Sequence, residues 1–126
     1  MPESLGLHKI GQIAVPVHDI KRAVTFYKDT LGMKFLFQAG NLAFFDCDGV
    51  RLLLDVPEDK AFDHPSSVIY FSVPDIQVAF KTLKERGVEI VAEPHLIAKM
   101  ETYDLWMAFF KDLDNNVLSV MSEVKR

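Results

Sequence analysis

An internal duplication constrains the fold of this chain more than any other feature of its sequence. Asp19 and Asp75 each follow an apolar segment and directly precede an amphipathic one. The shift of 56 residues that aligns them also aligns Ile13 with Ile69, Val17 with Val73, Ile20 with Ile76 and Ala23 with Ala79. Two copies are too few for a solenoid, so we expect them to pair into one domain.

Each copy predicts a helix that begins after its Asp and ends near a Gly. A carboxylate directly before the first apolar helical residue can accept a backbone N–H of the opening turn. Gly32 and Gly87 supply the positive φ at which many helices end. Between these signals, apolar residues recur at helical spacing, namely Ile20, Ala23, Val24, Tyr27 and Leu31, and Ile76, Ala79, Phe80 and Leu83.

After each helix the pattern changes to short segments rich in Phe, Leu and Val, which predict strands. The pair Asp48-Gly49 is a strong signal for a tight hairpin, and residues 112–116 form a second turn. The predicted strands after the helices are 35–39, 42–47, 50–56, 89–92, 105–110 and 117–121. Segment 94–104 has no clean period and is predicted to be a mobile loop.

These elements predict an α+β fold of two tandem βαβββ modules in a single domain spanning residues 1–126. Module one covers about residues 8–56, a polar linker covers 57–66, and module two covers about 67–122. With 49% hydrophobic residues the chain can bury a core without disulfides.

Composition excludes several classes of function. The net charge of −4, with no Lys/Arg run longer than two residues, argues against nucleic acid as a partner. No apolar run reaches a membrane-spanning length, and residues 1–12 lack the order of a secretory signal, so we expect a cytoplasmic protein that does not bind membranes. Cys47 is the only cysteine, which excludes an internal disulfide and a Cys-cluster metal site; we expect a buried, reduced thiol.

Three segments together resemble a known superfamily. HDIKRAVTFYKDTLGM (18–33) resembles the glyoxalase-type opening, VPDIQVAFKTLKERGV (73–88) resembles the start of its second module, and FFKDLDNNVLSVMSE (109–123) resembles its closing DPDGN-type hairpin. The chain therefore resembles members of the vicinal oxygen chelate superfamily, which includes glyoxalases, bleomycin resistance proteins and extradiol dioxygenases. The resemblance implies the glyoxalase/bleomycin-resistance-like fold, a small-molecule cavity between the modules, and a homodimer that sometimes exchanges modules.

The resemblance also implies four metal-ligand positions, which fall on Gln12, Leu53, Val68 and Ser119. Gln occurs at the first position in some glyoxalase I enzymes, so Gln12 is the one plausible family ligand. A divalent cation needs several His or carboxylate donors, and the other three residues do not supply them. We therefore predict no metal and no other cofactor.

None of the four histidines falls within a predicted strand at an equivalent position in the modules. His8 precedes the first strand, His18 lies beside the helix cap, and His64 lies in the linker. His95 lies in the predicted loop 94–104, which could fold over the mouth of a cavity. A structural or surface role is the simpler interpretation of each.

The predicted hairpin at Asp48-Gly49 gives one apolar face, expected to pack on the first helix, and one mixed face, expected to line the cavity. The candidate cavity residues are Gln12, Phe44, Arg51, Leu53, Val68, Tyr70, His95, Trp106 and Ser119. No catalytic residue is assigned among them.

Several candidates keep two interpretations. Arg51 either holds a carboxylate or phosphate of a ligand or forms a cross-strand ion pair with Asp46. Trp106 either contacts a flat ligand or belongs to the core. Tyr70 carries a hydroxyl suited to proton transfer, but its ordinary pKa near 10 makes it a poor base without a partner.

The leading hypothesis is a protein that binds a small, partly apolar molecule without the family metal. The alternative is an enzyme, a metal-dependent glyoxalase-type lyase or isomerase or a dioxygenase relative, using Zn, Ni, Mn or Fe. A purely structural module ranks last because it leaves the cavity without a role.

Overall fold

Two βαβββ modules follow one another along residues 5–126, the part of the chain that the computed structural model describes. Module one contains β1 (Gln12–Pro16), α1 (Ile20–Thr25), a π-helical segment (Phe26–Thr30), β2 (Lys34–Ala39), β3 (Leu42–Cys47) and β4 (Val50–Asp55). A 3-10 turn (Lys60–Phe62) lies in the connection, and module two contains β5 (Ile69–Ser72), α2 (Ile76–Glu85), β6 (Glu89–Lys99), β7 (Tyr103–Lys111) and β8 (Val117–Lys125). The predicted α+β class and module order are confirmed.

Each module builds a four-stranded sheet of the same topology, with strand orders β1-β4-β3-β2 and β5-β8-β7-β6. The first strand of each module pairs in parallel with the last, and the remaining pairs are antiparallel. The predicted tight turn at Asp48-Gly49 requires Asp46 to pair with Arg51 and Phe44 with Leu53, and the structure has both pairs.

The predicted helix caps are also correct. The Asp19 carboxylate accepts the backbone N–H of Arg22, and the Asp75 carboxylate accepts those of Gln77 and Val78. Both caps have extended backbone, as N-cap residues usually do. The first helix widens into the π-helical segment after Thr25, a change that its apolar spacing does not signal.

One apolar core joins the two modules. Val15, Leu54 and Tyr27 of module one and Phe110 and Leu118 of module two are buried in the same cluster. In each sheet the buried apolar residues share the side that carries the helix, which we call the helix face, and the opposite side is the outer face. The modules therefore meet through their helix faces.

The segment predicted to be a mobile loop, 94–104, is mostly strand. β6 continues to Lys99 and β7 begins at Tyr103, with His95 paired to Met107. The prediction failed because β6 contains register shifts between Ile90 and Ala92 and at two later points. Each shift breaks the period-two alternation by which a strand is recognised.

Within residues 5–126, no helix has both the length and the apolar character needed to cross a bilayer. The prediction that residues 1–12 carry no secretory signal concerns in part residues 1–4, which lie outside the described part of the chain.

Candidate ligand-binding faces

The outer face of module one brings four candidates together. Gln12 lies opposite Arg51 across β1 and β4, and Phe44 lies opposite Leu53 across β3 and β4. Phe37 of β2, which is not among the candidates predicted from the sequence, stacks on Phe44 with 4.5 Å between ring centroids. A bulge between Phe35 and Phe37 shifts the alternation of side chains along β2, so a period-two sequence pattern does not place Phe37 on this face.

Arg51 lies over the Phe44 ring, with its guanidinium carbon 5.5 Å from the centroid. Asp46, its cross-strand neighbour, instead accepts the backbone N–H of Gly49 at 3.2 Å. No ion pair joins Arg51 and Asp46 in the structure of residues 5–126, so the second interpretation of Arg51, a cross-strand ion pair with Asp46, is wrong. The guanidinium is exposed and available for other contacts.

The outer face of module two brings together Tyr70, His95 and Ser119. Tyr70 lies opposite Ser119, and its ring meets that of Phe109 edge to face at 6.0 Å. The His95 ring lies 6.3 Å from the same Phe109 ring. Val68 precedes β5, is exposed, and continues the alternation of Tyr70.

His95 belongs to β6 and not to a loop over a cavity mouth, which corrects its predicted location. Its Nδ1 lies 2.8 Å from the carbonyl oxygen of Glu93, so this nitrogen carries the proton when the ring is neutral. Nε2 is then the nitrogen left to accept a hydrogen bond from a ligand.

Trp106 does not share a face with the other candidates. Along β7 it alternates with Met107 and Phe109 and lies on the same side as the buried residues Ala108 and Phe110. Its ring packs against the core. Trp106 is thus half-buried on the helix face, where it also lines a shallow cleft beside the start of α2.

The four family ligand positions do not fit a divalent metal. Gln12 offers one neutral amide, while Leu53 and Val68 offer no donor. The Ser119 hydroxyl is fully buried and donates to the carbonyl oxygen of Ala108 at 2.9 Å. Among residues 5–126, no three His, Cys, Asp or Glu side chains are grouped so that they could hold a metal ion.

Cys47 is half-buried, which is less than the buried thiol predicted from the sequence. Burial raises its pKa above the ordinary value, and the neighbouring carboxylates of Asp46 and Asp48 raise it further. The side chain is therefore a neutral thiol at neutral pH and a weak nucleophile.

A buried polar network joins the two modules. The Tyr27 hydroxyl donates to Oδ2 of Asp112 at 2.7 Å, and Asn116 Nδ2 donates to the Pro16 carbonyl oxygen at 2.8 Å. Burial raises the pKa of the Tyr27 hydroxyl far above its ordinary value, with a further contribution from Asp112. Tyr27 therefore remains a hydrogen-bond donor and has no role as a base.

His18 bridges two carboxylates at the same junction. Its Nε2 lies 2.9 Å from Oδ1 of Asp63 in the linker, and its Nδ1 lies 2.9 Å from Oδ1 of Asp114. Both ring nitrogens must donate to satisfy both carboxylates, which requires the imidazolium form. The hydrogen bonds to Asp63 and then Asp114 raise the pKa of His18. No local sequence pattern predicts this cluster, because its members are far apart in the chain.

Comparison with known proteins identifies the family. The model of the glyoxalase/bleomycin resistance protein/dioxygenase superfamily matches residues 9–120. The chain belongs to this superfamily.

Relatives of this superfamily member include the uncharacterized protein YraH of Bacillus subtilis, which is 24% identical over 89% of the chain and 96% of the relative. The metallothiol transferase FosB of Lysinibacillus sphaericus is 30% identical, but over only 42% of the chain and 38% of the relative.

Solved structures have the same fold. A superfamily member from Sphaerobacter thermophilus superposes with a TM-score of 0.77 at 24% identity, covering 94% of this chain and 100% of the other. An integron cassette protein from Vibrio cholerae gives 0.78 at 19% identity, covering 95% and 98%. A lactoylglutathione lyase from Agrobacterium tumefaciens gives 0.72 at 18% identity, covering 91% and 93%.

Proposed function

We propose that this superfamily member binds a small, partly apolar molecule on the aromatic outer faces of its sheets, without the family metal. The observation that carries the proposal is the combination of ring surface and polar contacts on each face. Small-molecule sites are usually lined mainly by apolar and aromatic groups, with a few polar groups that fix orientation.

On module one, the stacked rings of Phe37 and Phe44 offer a flat apolar surface. Arg51 lies over the Phe44 ring, and Gln12 lies opposite Arg51 on the neighbouring strand β1. A guanidinium over an aromatic ring still has N–H groups that can donate to a carboxylate or carbonyl oxygen of a ligand.

On module two, Tyr70 and His95 flank the ring of Phe109. The Tyr70 hydroxyl and His95 Nε2 are the polar contacts of this face. Because His95 Nδ1 is held by the Glu93 carbonyl oxygen, the orientation of its ring is fixed for a contact through Nε2.

The proposed cavity is completed by a second copy of the chain. In one chain both outer faces are open, with Phe37 47% and Tyr70 46% exposed. A twofold dimer in which module one of each copy covers module two of the other would bury both faces and enclose two equivalent cavities. A cytoplasmic homodimer of this kind is part of the proposal.

A metal-dependent lyase, isomerase or dioxygenase-type enzyme is the second candidate. The partial likeness to a metallothiol transferase favours it. The donor set at Gln12, Leu53, Val68 and Ser119 weighs against it, because it contains no carboxylate and no imidazole.

Sedimentation equilibrium tests the dimer. We expect a mass of twice 14.3 kDa for the native chain. Tyr70→Asp should shift the equilibrium toward monomer, since it places a charge on the face proposed to be buried. Val78→Asp is the matched control, because Val78 is a similarly apolar residue that is 60% exposed on α2. A native chain that sediments only as a monomer would contradict the dimer.

Fluorescence of the apolar anion 8-anilinonaphthalene-1-sulfonate tests the ligand site. Phe44→Ala and Arg51→Gln should each weaken its binding to the folded protein by about ten-fold, and Lys81→Gln at an exposed position of α2 should not. Equal binding by all of these variants would contradict the site.

Elemental analysis of protein purified without a histidine tag, together with melting curves in Zn²⁺, Ni²⁺, Mn²⁺ and Fe²⁺, tests the metal-free proposal. An ion that binds only the native state raises its melting temperature. We expect no stoichiometric metal and no such shift. One equivalent of bound metal would instead establish the second candidate.

A further inference from the structure

We propose that a separate cleft on the helix side, where the two modules meet, binds an organic carboxylate with a short apolar chain. The inference is independent of the outer faces, because it concerns the opposite side of the sheets.

The apolar part of this cleft is a cavity of about 280 Å³ between the modules. Leu31 and Met33, which follow the π-helical segment of module one, form one wall. Phe71, Leu83 and Phe110 of module two form the other. The volume lies just below the range of roughly 300–1,000 Å³ typical of drug-sized ligands, so the cavity suits a small apolar group.

A basic cleft adjoins this cavity. Lys21 and Arg22 of α1 and Arg86 at the end of α2 line it, in a volume of about 420 Å³. No Asp or Glu is among the described residues that line either space. No ion pair within residues 5–126 involves these cations. In a chain with a net charge of −4, three such cations around one cleft form a local anion-binding surface.

Arg86 lies at the boundary, because it and Thr30 line both the apolar cavity and the basic cleft. Its Nη1 donates to the Thr30 carbonyl oxygen at 2.7 Å, which fixes the guanidinium across the module junction. Arg86 is exposed, and its Nε and Nη2 groups have no hydrogen-bond partner among the described residues. They remain available to a ligand at the point where the cavity opens.

The arrangement favours a carboxylate over a neutral polar group. A guanidinium binds a carboxylate through parallel N–H groups, and Lys21 and Arg22 add attraction that depends on salt concentration. The attached chain would then extend from the basic cleft past Arg86 toward Leu83 and Phe110. A ligand of this class must have its charge at one end and an apolar chain at the other.

Titration of the full-length protein with octanoate, followed by amide NMR shifts, tests the site. We expect saturable shifts at Thr30, Thr82 and Gly87, which report this cleft separately from any shifts of Phe44 and Arg51 on the outer face. Octanol, which has the same chain without the charge, should bind more weakly than octanoate, and so should inorganic phosphate, which has charge without a chain.

Arg86→Gln should weaken octanoate binding by about ten-fold, because it removes a charge-assisted contact. The surface double variant Lys21→Gln/Arg22→Gln should weaken it by about three-fold without altering the Thr30 contact, so the proposal stays testable if Arg86→Gln disturbs folding. Lys81→Gln, at an exposed position of α2 that lines neither space, is the matched control and should leave octanoate binding unchanged.

Equal affinity for octanol and octanoate would overturn the proposal. So would unchanged octanoate binding in the folded Arg86→Gln and Lys21→Gln/Arg22→Gln proteins, or shifts confined to β3 and β4. Because the outer-face site is tested through Phe44 and Arg51, loss of one site leaves the test of the other intact.

Discussion

The β3–β4 and β7–β8 hairpins hold equivalent positions in the two modules, yet they contact the rest of the chain differently. The turn at Asp48-Gly49 is exposed. In the other hairpin, Asp112 is only 5% exposed, and its carboxylate accepts hydrogen bonds from Tyr27 of module one and from backbone and side-chain N–H groups within its own turn. The duplicated modules have thus diverged, and only the second hairpin fixes how they pack against each other.

The largest expected effect therefore concerns Asp112. Replacing it by Ala leaves the buried Tyr27 hydroxyl and the Asn116 backbone N–H without their side-chain acceptor, and we expect a loss of about 3 kcal/mol or more in the free energy of unfolding. Urea denaturation measures it. The matched control is Asp46→Ala in the β3–β4 hairpin, which should lose less than about 1 kcal/mol. Equal losses would show that the two hairpins do not differ in the way described.

Tyr27→Phe separates the contact between modules from the contacts within the turn. It removes one donor to Asp112 and keeps the ring in the core, so we expect a loss of about 1 to 2 kcal/mol in urea denaturation. In the Asp112→Asn background the same change should cost less, and additive losses in this double-mutant cycle would contradict a direct interaction.

Gly49→Ala tests the exposed hairpin. Gly49 has φ of 90° and Asp48 has φ of 50°, as a tight two-residue hairpin turn requires. A Cβ at Gly49 meets no atom within 4 Å, so the cost arises from backbone conformation alone. We expect about 1 kcal/mol of destabilisation. Asn115, with φ of 63° in the other hairpin, should tolerate Gly with almost no change.

The smallest expected effect is the pH dependence contributed by His18, whose side chain is 60% exposed. Its pKa is raised in the folded state, so its stabilisation is fully present below the unfolded value of about 6.5 and is lost as pH rises through the folded value. His64 lines the same small cavity as His18, Asp63 and Asp114.

Urea midpoints at pH 5.5 and 8.5 should therefore differ less in His18→Asn than in the native chain. His95→Asn is the control, because it removes a histidine from the opposite side of the sheet. If the native chain and His18→Asn show the same pH dependence, the bridge to Asp63 and Asp114 does not contribute to stability.

The elements that sequence patterns predicted best are those with local signals. The helix caps at Asp19 and Asp75 and the register around Asp48-Gly49 depend on residues within a few positions of one another. Regular alternation then placed Phe44, Arg51 and Leu53 on one face. Gln12 lies on the same face, because it pairs with Arg51.

Features with non-local or irregular causes were not predictable. The bulges in β6 concealed a strand and with it the location of His95. Trp106 lies in the apolar run 105–110, which contains no polar residue, so polar/apolar alternation cannot show which side of the strand faces the core. His18, Asp63 and Asp114 meet only because the modules pack together, which no short pattern reports.

The irregularity of β6 also bears on how the protein behaves when it is concentrated. β6 is the edge strand of its sheet, and an edge strand of 11 residues is a template on which another chain can add a strand. Its register shifts and Pro94, which lacks a backbone N–H, interrupt the row of free donors and acceptors. The same distortions that obscure the strand in the sequence therefore protect the folded chain against fibre-like aggregation.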